Sequence, residues 1–164
     1  MKTFLGLAIA FTLFASSGVA HADDVSEKVQ KALRGQILIT NSQLPPPGET
    51  DAQTINAYKK ARATSLAGTD VDGVSEWAFL FTAFLKKAPK TQSLSLEFYT
   101  DDKEKLFVAD KRFEGVDPKG TILSGQVNIS SDDGPTKGRK YIIKLVGKVK
   151  RKDVVFAQTK LTLK

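Results

Sequence analysis

The chain has 164 residues, a formal net charge of +7 and no cysteine. Its one histidine is His21 and its one methionine is Met1, so from residue 23 onward it offers no imidazole, thiol or thioether. That excludes disulfides, the ordinary ligand sets of zinc, copper and haem, Cys nucleophiles and His-dependent triads.

The chain opens as an export signal over 1–22. Met1-Lys2 give a positive start, 5–15 is an apolar run whose only hydroxyl is Thr12, and Ala20-His21-Ala22 has the small residues that flank a cleavage site. The run is shorter than the ~20 apolar residues of a spanning helix, and cleavage is expected after Ala22. Removal of Lys2 would lower the charge from +7 to +6. Residues 23–164 suit one domain, and no later stretch is long and apolar enough for a transmembrane segment.

Residues 23–34 predict a short helix. Ser26 is placed to cap it, Val25, Val29, Ala32 and Leu33 share a side, and Gly35 stops it. Gln36–Thr40 follows as a strand. In 41–50, the prolines of Leu44-Pro45-Pro46-Pro47-Gly48 lack backbone donors and give a stiff extended loop. The stretch 51–67 has no Gly or Pro and predicts a surface helix touching the body through Ile55, Tyr58 and Leu66.

Residues 75–86 carry the densest apolar run, with both parities apolar, as in a central strand buried on both faces. Its aromatic content and Pro89 favour strand over helix. Residues 93–100 alternate cleanly, with Leu94, Leu96 and Phe98 on one face; 101–105 is a charged turn, and the returning strand runs from Leu106 through Phe113. Asp117-Pro118-Lys119-Gly120 is a turn, and 121–130 is a strand with a bulge expected at Gly125. A loop over 131–138 precedes the last hairpin.

That hairpin, 141–149 and 154–164, gives the clearest signal, because both halves alternate with period two. A three-residue loop Arg151-Lys152-Asp153 would set Tyr141 opposite Leu163, Ile143 opposite Leu161, Leu145 opposite Thr159, Gly147 opposite Ala157 and Val149 opposite Val155. Slippage by one would turn Gln158 and Lys160 into this apolar row, so burial pins the parity. Lys144, Lys148 and Lys160 then face outward, with Lys144 opposite Lys160.

Seven strands joined by short turns predict an all-β fold with one or two short helices. The layout resembles an immunoglobulin-like β-sandwich in its strand count, in Trp77 on an early core strand and in Tyr141 opening the penultimate one. The resemblance implies a fold and no activity.

Few residues carry chemistry. Asp70-Val71-Asp72-Gly73 opens like a calcium loop, but Phe81 stands where an EF-hand places its bidentate Glu. The carboxylates at Asp70 and Asp72, at Asp101-Asp102-Lys103-Glu104 and at Asp132-Asp133-Gly134 read as turns, and calcium binding would need two such loops to meet. No spacing singles out an acid and a nucleophile for glycoside hydrolysis. Asn128-Ile129-Ser130 matches a glycosylation sequon, inside a predicted strand. The remaining candidate is a basic face on the last hairpin, formed by Lys140, Lys144, Lys148, Lys150, Arg151, Lys152 and Lys160. Lysine on exposed strands also blocks edge pairing, and that is its bland explanation.

The expected function is therefore that of a non-enzymatic periplasmic or secreted binding module, without cofactor or metal. Its partner would be a protein, an envelope polysaccharide or anionic lipid head groups. Nucleic acid is disfavoured by the compartment and because the aromatic residues are spent in the core. The alternatives are a carboxylate-dependent hydrolase and a structural envelope subunit that pairs through a strand edge.

Overall fold

The computed structural model describes residues 25–164, and the expected signal at 1–22 lies outside the described residues. In chain order the elements are α1 (Glu27–Leu33), β1 (Gln36–Thr40), α2 (Asp51–Ala61), β2 (Ser65–Leu66), β3 (Thr69–Val71), β4 (Val74–Phe84), β5 (Ser93–Thr100), β6 (Phe107–Glu114), β7 (Ile122–Ser130), β8 (Lys140–Val149) and β9 (Lys152–Leu163). The seven predicted strands are β1 and β4 to β9. The short strands β2 and β3 were not foreseen.

All the strands belong to one curled sheet. β4 has β7 along one edge; on the other edge it has β3 near its start and β1 near its end. β1 also meets β9 in parallel, Gln36 opposite Gln158, and the sheet continues antiparallel through β8, β5 and β6. Curling brings both halves onto one core, with Trp77, Phe79 and Phe81 of β4 joining Leu96 and Phe98 of β5, Ile143 and Leu145 of β8, and Phe156 of β9.

A second, smaller core lies on the other face of β1 and β4. There α1 and α2 cover Leu38 and Phe84 with Val29, Leu33 and Tyr58. Both-face burial of β4 is therefore confined to its end, and Ala78 nearer its start is exposed. Ser26 caps α1 by accepting from the Val29 N–H at 3.3 Å. Thr50 and Gln53 form a reciprocal capping box on α2, at 3.3 and 3.1 Å. This second helix ends at Ala61, not at residue 67 as expected. The Ala63 N–H bonds Ile39 O at 2.7 Å, and Ser65–Leu66 adds to β9 in parallel. An open strand edge offered the backbone better partners than a helix with a thin apolar stripe.

The last hairpin corrects its predicted register. Its turn has two residues, Lys150 and Arg151, so Val149 faces Lys152, Lys148 faces Asp153 and Tyr141 faces Leu161. A bulge at Phe156 lies between the Leu145–Ala157 and Val146–Val155 pairs. Beyond the bulge the slip is by two, so Tyr141, Ile143 and Leu145 still point inward; between the turn and the bulge it is by three, and Phe156 takes the core position expected of Val155. Lys144 now faces Gln158, and Lys160 faces Ile142, so the expected opposition of Lys144 and Lys160 does not exist.

Gly125 is not at a bulge, because β4 and β7 pair without interruption from Glu76–Ser130 to Phe84–Ile122. Its role is clearance. A Cβ there would lie 2.8 Å from Phe81 Cε1 and 3.2 Å from Phe113 Cε1, where the two rings meet edge to face at 5.1 Å. Gly125→Ala should therefore overpack the join between the sheet halves and destabilise the protein by about 1–3 kcal/mol. Urea denaturation checks this, and an unchanged midpoint would mean that the rings yield freely.

Candidate functional site

Strands of alternating direction send alternate connections to opposite ends of the sheet. At one end lie the α1–β1 junction at Arg34 and Gly35, the loop 85–92, the loop 115–121 and the Lys150–Arg151 turn. These connections carry Arg34, Lys86, Lys87, Lys90, Lys119, Lys150 and Arg151, all exposed, against Asp117 as the one carboxylate. Lys152 follows directly on β9. Backbone contacts hold the pieces together: Lys86 N–H to Phe156 O at 2.9 Å, Gly35 N–H to Phe84 O at 2.6 Å and Lys90 N–H to Pro118 O at 3.0 Å. The Arg34 Nε–H donates to Lys86 O at 2.6 Å. None of these cations forms an ion pair with a described residue.

The opposite end collects the acidic turns, and there four carboxylates have cationic partners. Lys137 bonds Asp70, Arg139 bonds Asp102 at 3.0 Å, Lys111 reaches Asp133 at 3.3 Å, and Lys160 holds both oxygens of Asp101 at 2.9 Å. Lys137 and then the Ser75 hydroxyl hold the Asp70 carboxyl below its ordinary value. The Thr100 hydroxyl leads in doing so for Asp102, and the Ser130 backbone N–H leads for Asp133. These contacts stabilise the fold above the ordinary carboxylate pKa of 3.8 and are lost as the pH falls through the lower folded values. Among the described residues no three acidic side chains converge on a point that could hold a metal ion.

The seven residues assigned from sequence to one basic face are consequently divided. Lys150, Arg151 and Lys152 belong to the uncompensated end. Lys148, on the outer face nearby, stands opposite Asp153 in the ladder. Lys140 opens β8 at the acidic end, where its carbonyl accepts from the Asp101 N–H at 3.1 Å. Lys160 is taken by Asp101. The Lys144 ammonium lies 4.1 Å from the centre of the Tyr99 ring, with Glu97 opposite it on β5. The outer face of the hairpin sheet is thus interlaced with carboxylates from β5, β6 and the 101–106 loop.

Sequence reasoning missed Arg34, Lys86, Lys87, Lys90 and Lys119. The available signal was the alternation of connections: in an antiparallel chain, the loops after β4, β6 and β8 must share an end. Two shallow cavities are lined by other residues. One of about 620 Å³ runs beside Trp77, Asn128 and Ser130; another of about 600 Å³ lies over Ser95, Glu97, Asp110, Arg112 and Lys148. Neither is lined by any of the seven connection cations.

Tyr99 reports on the outer face. Its hydroxyl donates to Glu97 Oε2 at 2.6 Å, and this bond, with burial second, pushes its pKa up to about 12. The Lys144 ammonium would favour the phenolate, but the hydrogen bond prevails. Since the folded state holds this proton more tightly, the stabilisation is complete below ~10, the unfolded value, and is lost as the pH rises through about 12. Ultraviolet titration of the phenols should show Tyr99 ionising at about 12, and Glu97→Gln should bring it down towards ~10. A Tyr99 titration unmoved by the substitution would contradict this account.

No protein-family model, no curated protein and no solved structure matches this chain, and its function has to be read from its own residues.

Proposed function

We propose that the chain is a non-enzymatic binding module, exported to the periplasm or secreted, that holds an anionic partner at its basic end. One observation carries the reading: seven cations from four connections are gathered at one end without an ion pair, while at the other end Asp70, Asp101, Asp102 and Asp133 each pair with a cation. Unscreened like charge works against compactness and draws in counter-charge. The basic C-terminal hairpin face expected from sequence gives way here to its tip, Lys150, Arg151 and Lys152, joined by cations from three other connections. The pattern at 1–22 supports export.

The fold reads as an immunoglobulin-like sandwich. In support, the strand order divides into β7-β4-β1 and β9-β8-β5-β6, with β1 as the link. Tyr141, at the start of β8, clasps the chain just upstream: its hydroxyl accepts from the Thr136 N–H at 2.7 Å and donates to Thr136 O at 3.3 Å. That contact has the character of a tyrosine corner. In such sandwiches the loops at the ends are a common place for binding.

A carboxylate-dependent hydrolase is the second reading. Its support is one pair, Glu97 and Asp110, directly opposite each other on β5 and β6 beside the 600 Å³ cavity. Each is already engaged, Glu97 by Tyr99 and Asp110 by the Ser95 hydroxyl at 2.8 Å. A structural subunit would use the free edge of β6, where Asp110, Lys111 and Arg112 discourage strand addition.

The test is affinity capture from the cell envelope at low and raised salt, with the parent protein and with Lys86→Glu/Lys87→Glu/Lys119→Glu. Exposed substitutions change stability by about 0.5 kcal/mol each, so the variant should stay folded and lose its partner. A folded variant that keeps the partner at low salt would move the binding site away from this end. N-terminal sequencing of the exported protein should begin at Asp23, and a retained Met1 would refute export by cleavage.

A further inference from the structure

We infer that the basic end docks on the phosphate head groups of an anionic phospholipid membrane, with the Lys150–Arg151 turn as its leading tip. The inference rests on the reading of this end as the binding end and names its partner.

The first support is the backbone of the tip. A two-residue hairpin turn of type I′, which matches strand twist, needs positive φ at both central residues, and Asn-Gly is its favoured filling. Here the positions are Lys150 and Arg151, at φ 50° and 65°. Side chains with a Cβ are strained in this region. Lys90, in the neighbouring loop, also has positive φ, at 56°. Neither Lys150 nor Arg151 makes a side-chain hydrogen bond or ion pair with a described residue, and both are exposed. The fold therefore gains nothing from these side chains that Asn-Gly would not supply with less strain. Blocking of strand edges does not explain them either, because a turn tip has no ladder to block. What they add is charge at the furthest point of the hairpin.

The second support is the shape and chemistry of the end. The cations come from connections on both halves of the sheet, and none of them lines either cavity. Exposed cations spread over four connections suit a planar anionic surface better than a threaded polymer or peptide. The four connections contain no Phe, Tyr or Trp, so there is no platform for stacking bases. Five of the seven cations are lysines, compact point charges suited to a surface potential more than to bidentate recognition. The opposite end carries the acidic turns, so the molecule is polarised along its strands, which orients it end-on.

The experiment is sedimentation of the purified protein with vesicles of phosphatidylglycerol in phosphatidylcholine. Pure phosphatidylcholine vesicles and soluble dextran sulfate serve as separate arms. Binding is expected to the anionic vesicles and not to the neutral ones, and it should vanish as salt shortens the Debye length from ~10 Å at 0.1 M to ~3 Å at 1 M. Lys150→Asn/Arg151→Gly should melt a few degrees higher than the parent and yet partition onto anionic vesicles about 25-fold less, at roughly fivefold per lost cation. Lys150→Gln/Arg151→Gln should show the same loss of partitioning with the parent backbone, and it decides the matter if the first variant does not fold. Dextran sulfate binding without vesicle binding would overturn the lipid assignment and leave the anionic-partner reading standing. Failure on both would sink the two together. Undiminished vesicle binding by the folded tip variants would remove the tip from the docking surface.

Discussion

The basic end depends on a seam where the two halves of the sheet meet. Gly35 donates its N–H to Phe84 O on β4 and accepts from the Gln158 N–H on β9, at 2.6 and 3.0 Å, while Lys86 N–H reaches Phe156 O at 2.9 Å. Gly35 sits at φ 80°, a conformation that favours glycine. Through it the chain leaves α1 and enters β1, which is antiparallel to β4 and parallel to β9. Without that double pairing the hairpin of β8 and β9 would not be held at a fixed offset from β4, and the loops after β4 and β8 would not lie side by side.

Charge follows from this arrangement. At the acidic end, carboxylates meet cations brought from distant parts of the chain, as with Lys160 and Asp101 or Lys137 and Asp70. Such exposed pairs contribute little each, but they lower the field around those turns. At the basic end Asp117 is spent on its own turn, where Oδ1 accepts from the Lys119 N–H at 2.9 Å. The remaining cations repel one another, so that end is costly to leave without a counter-charge. A contrast of this kind between the two ends of one sheet is a property of charge placement and not of composition.

The outer face of the hairpin sheet shows how neighbours change the meaning of a lysine. Lys144 in the sequence is one of many cations on the last hairpin; in the fold it covers the Tyr99 ring and stands opposite Glu97. Its surroundings come from β5, nearly fifty positions earlier. Leu106 and Phe107 are exposed beside Tyr99, whose ring meets that of Phe107 edge to face at 5.8 Å. Mixed aromatic, acidic and basic groups make this flank distinct from the basic end.

The strands β1 and β4 to β9, the inward parity of Tyr141, Ile143 and Leu145, the lack of thiol and imidazole in the described chain and the Ser26 cap of α1 were legible in the sequence, because each is a local property. Period-two alternation in 93–100 or 141–149 exists before any partner is chosen. Register was not local. Two registers of the last hairpin bury nearly the same apolar row, and the tight Lys150–Arg151 turn with the Phe156 bulge selects between them. The end of α2 was decided by an open edge of β9, and the space at Gly125 by rings on β4 and β6. The basic end was likewise invisible along the chain, since Arg34, Lys87, Lys119 and Arg151 are far apart in sequence. Electrostatic interaction depends on distance in space, and only the curled sheet brings those four connections to the same place.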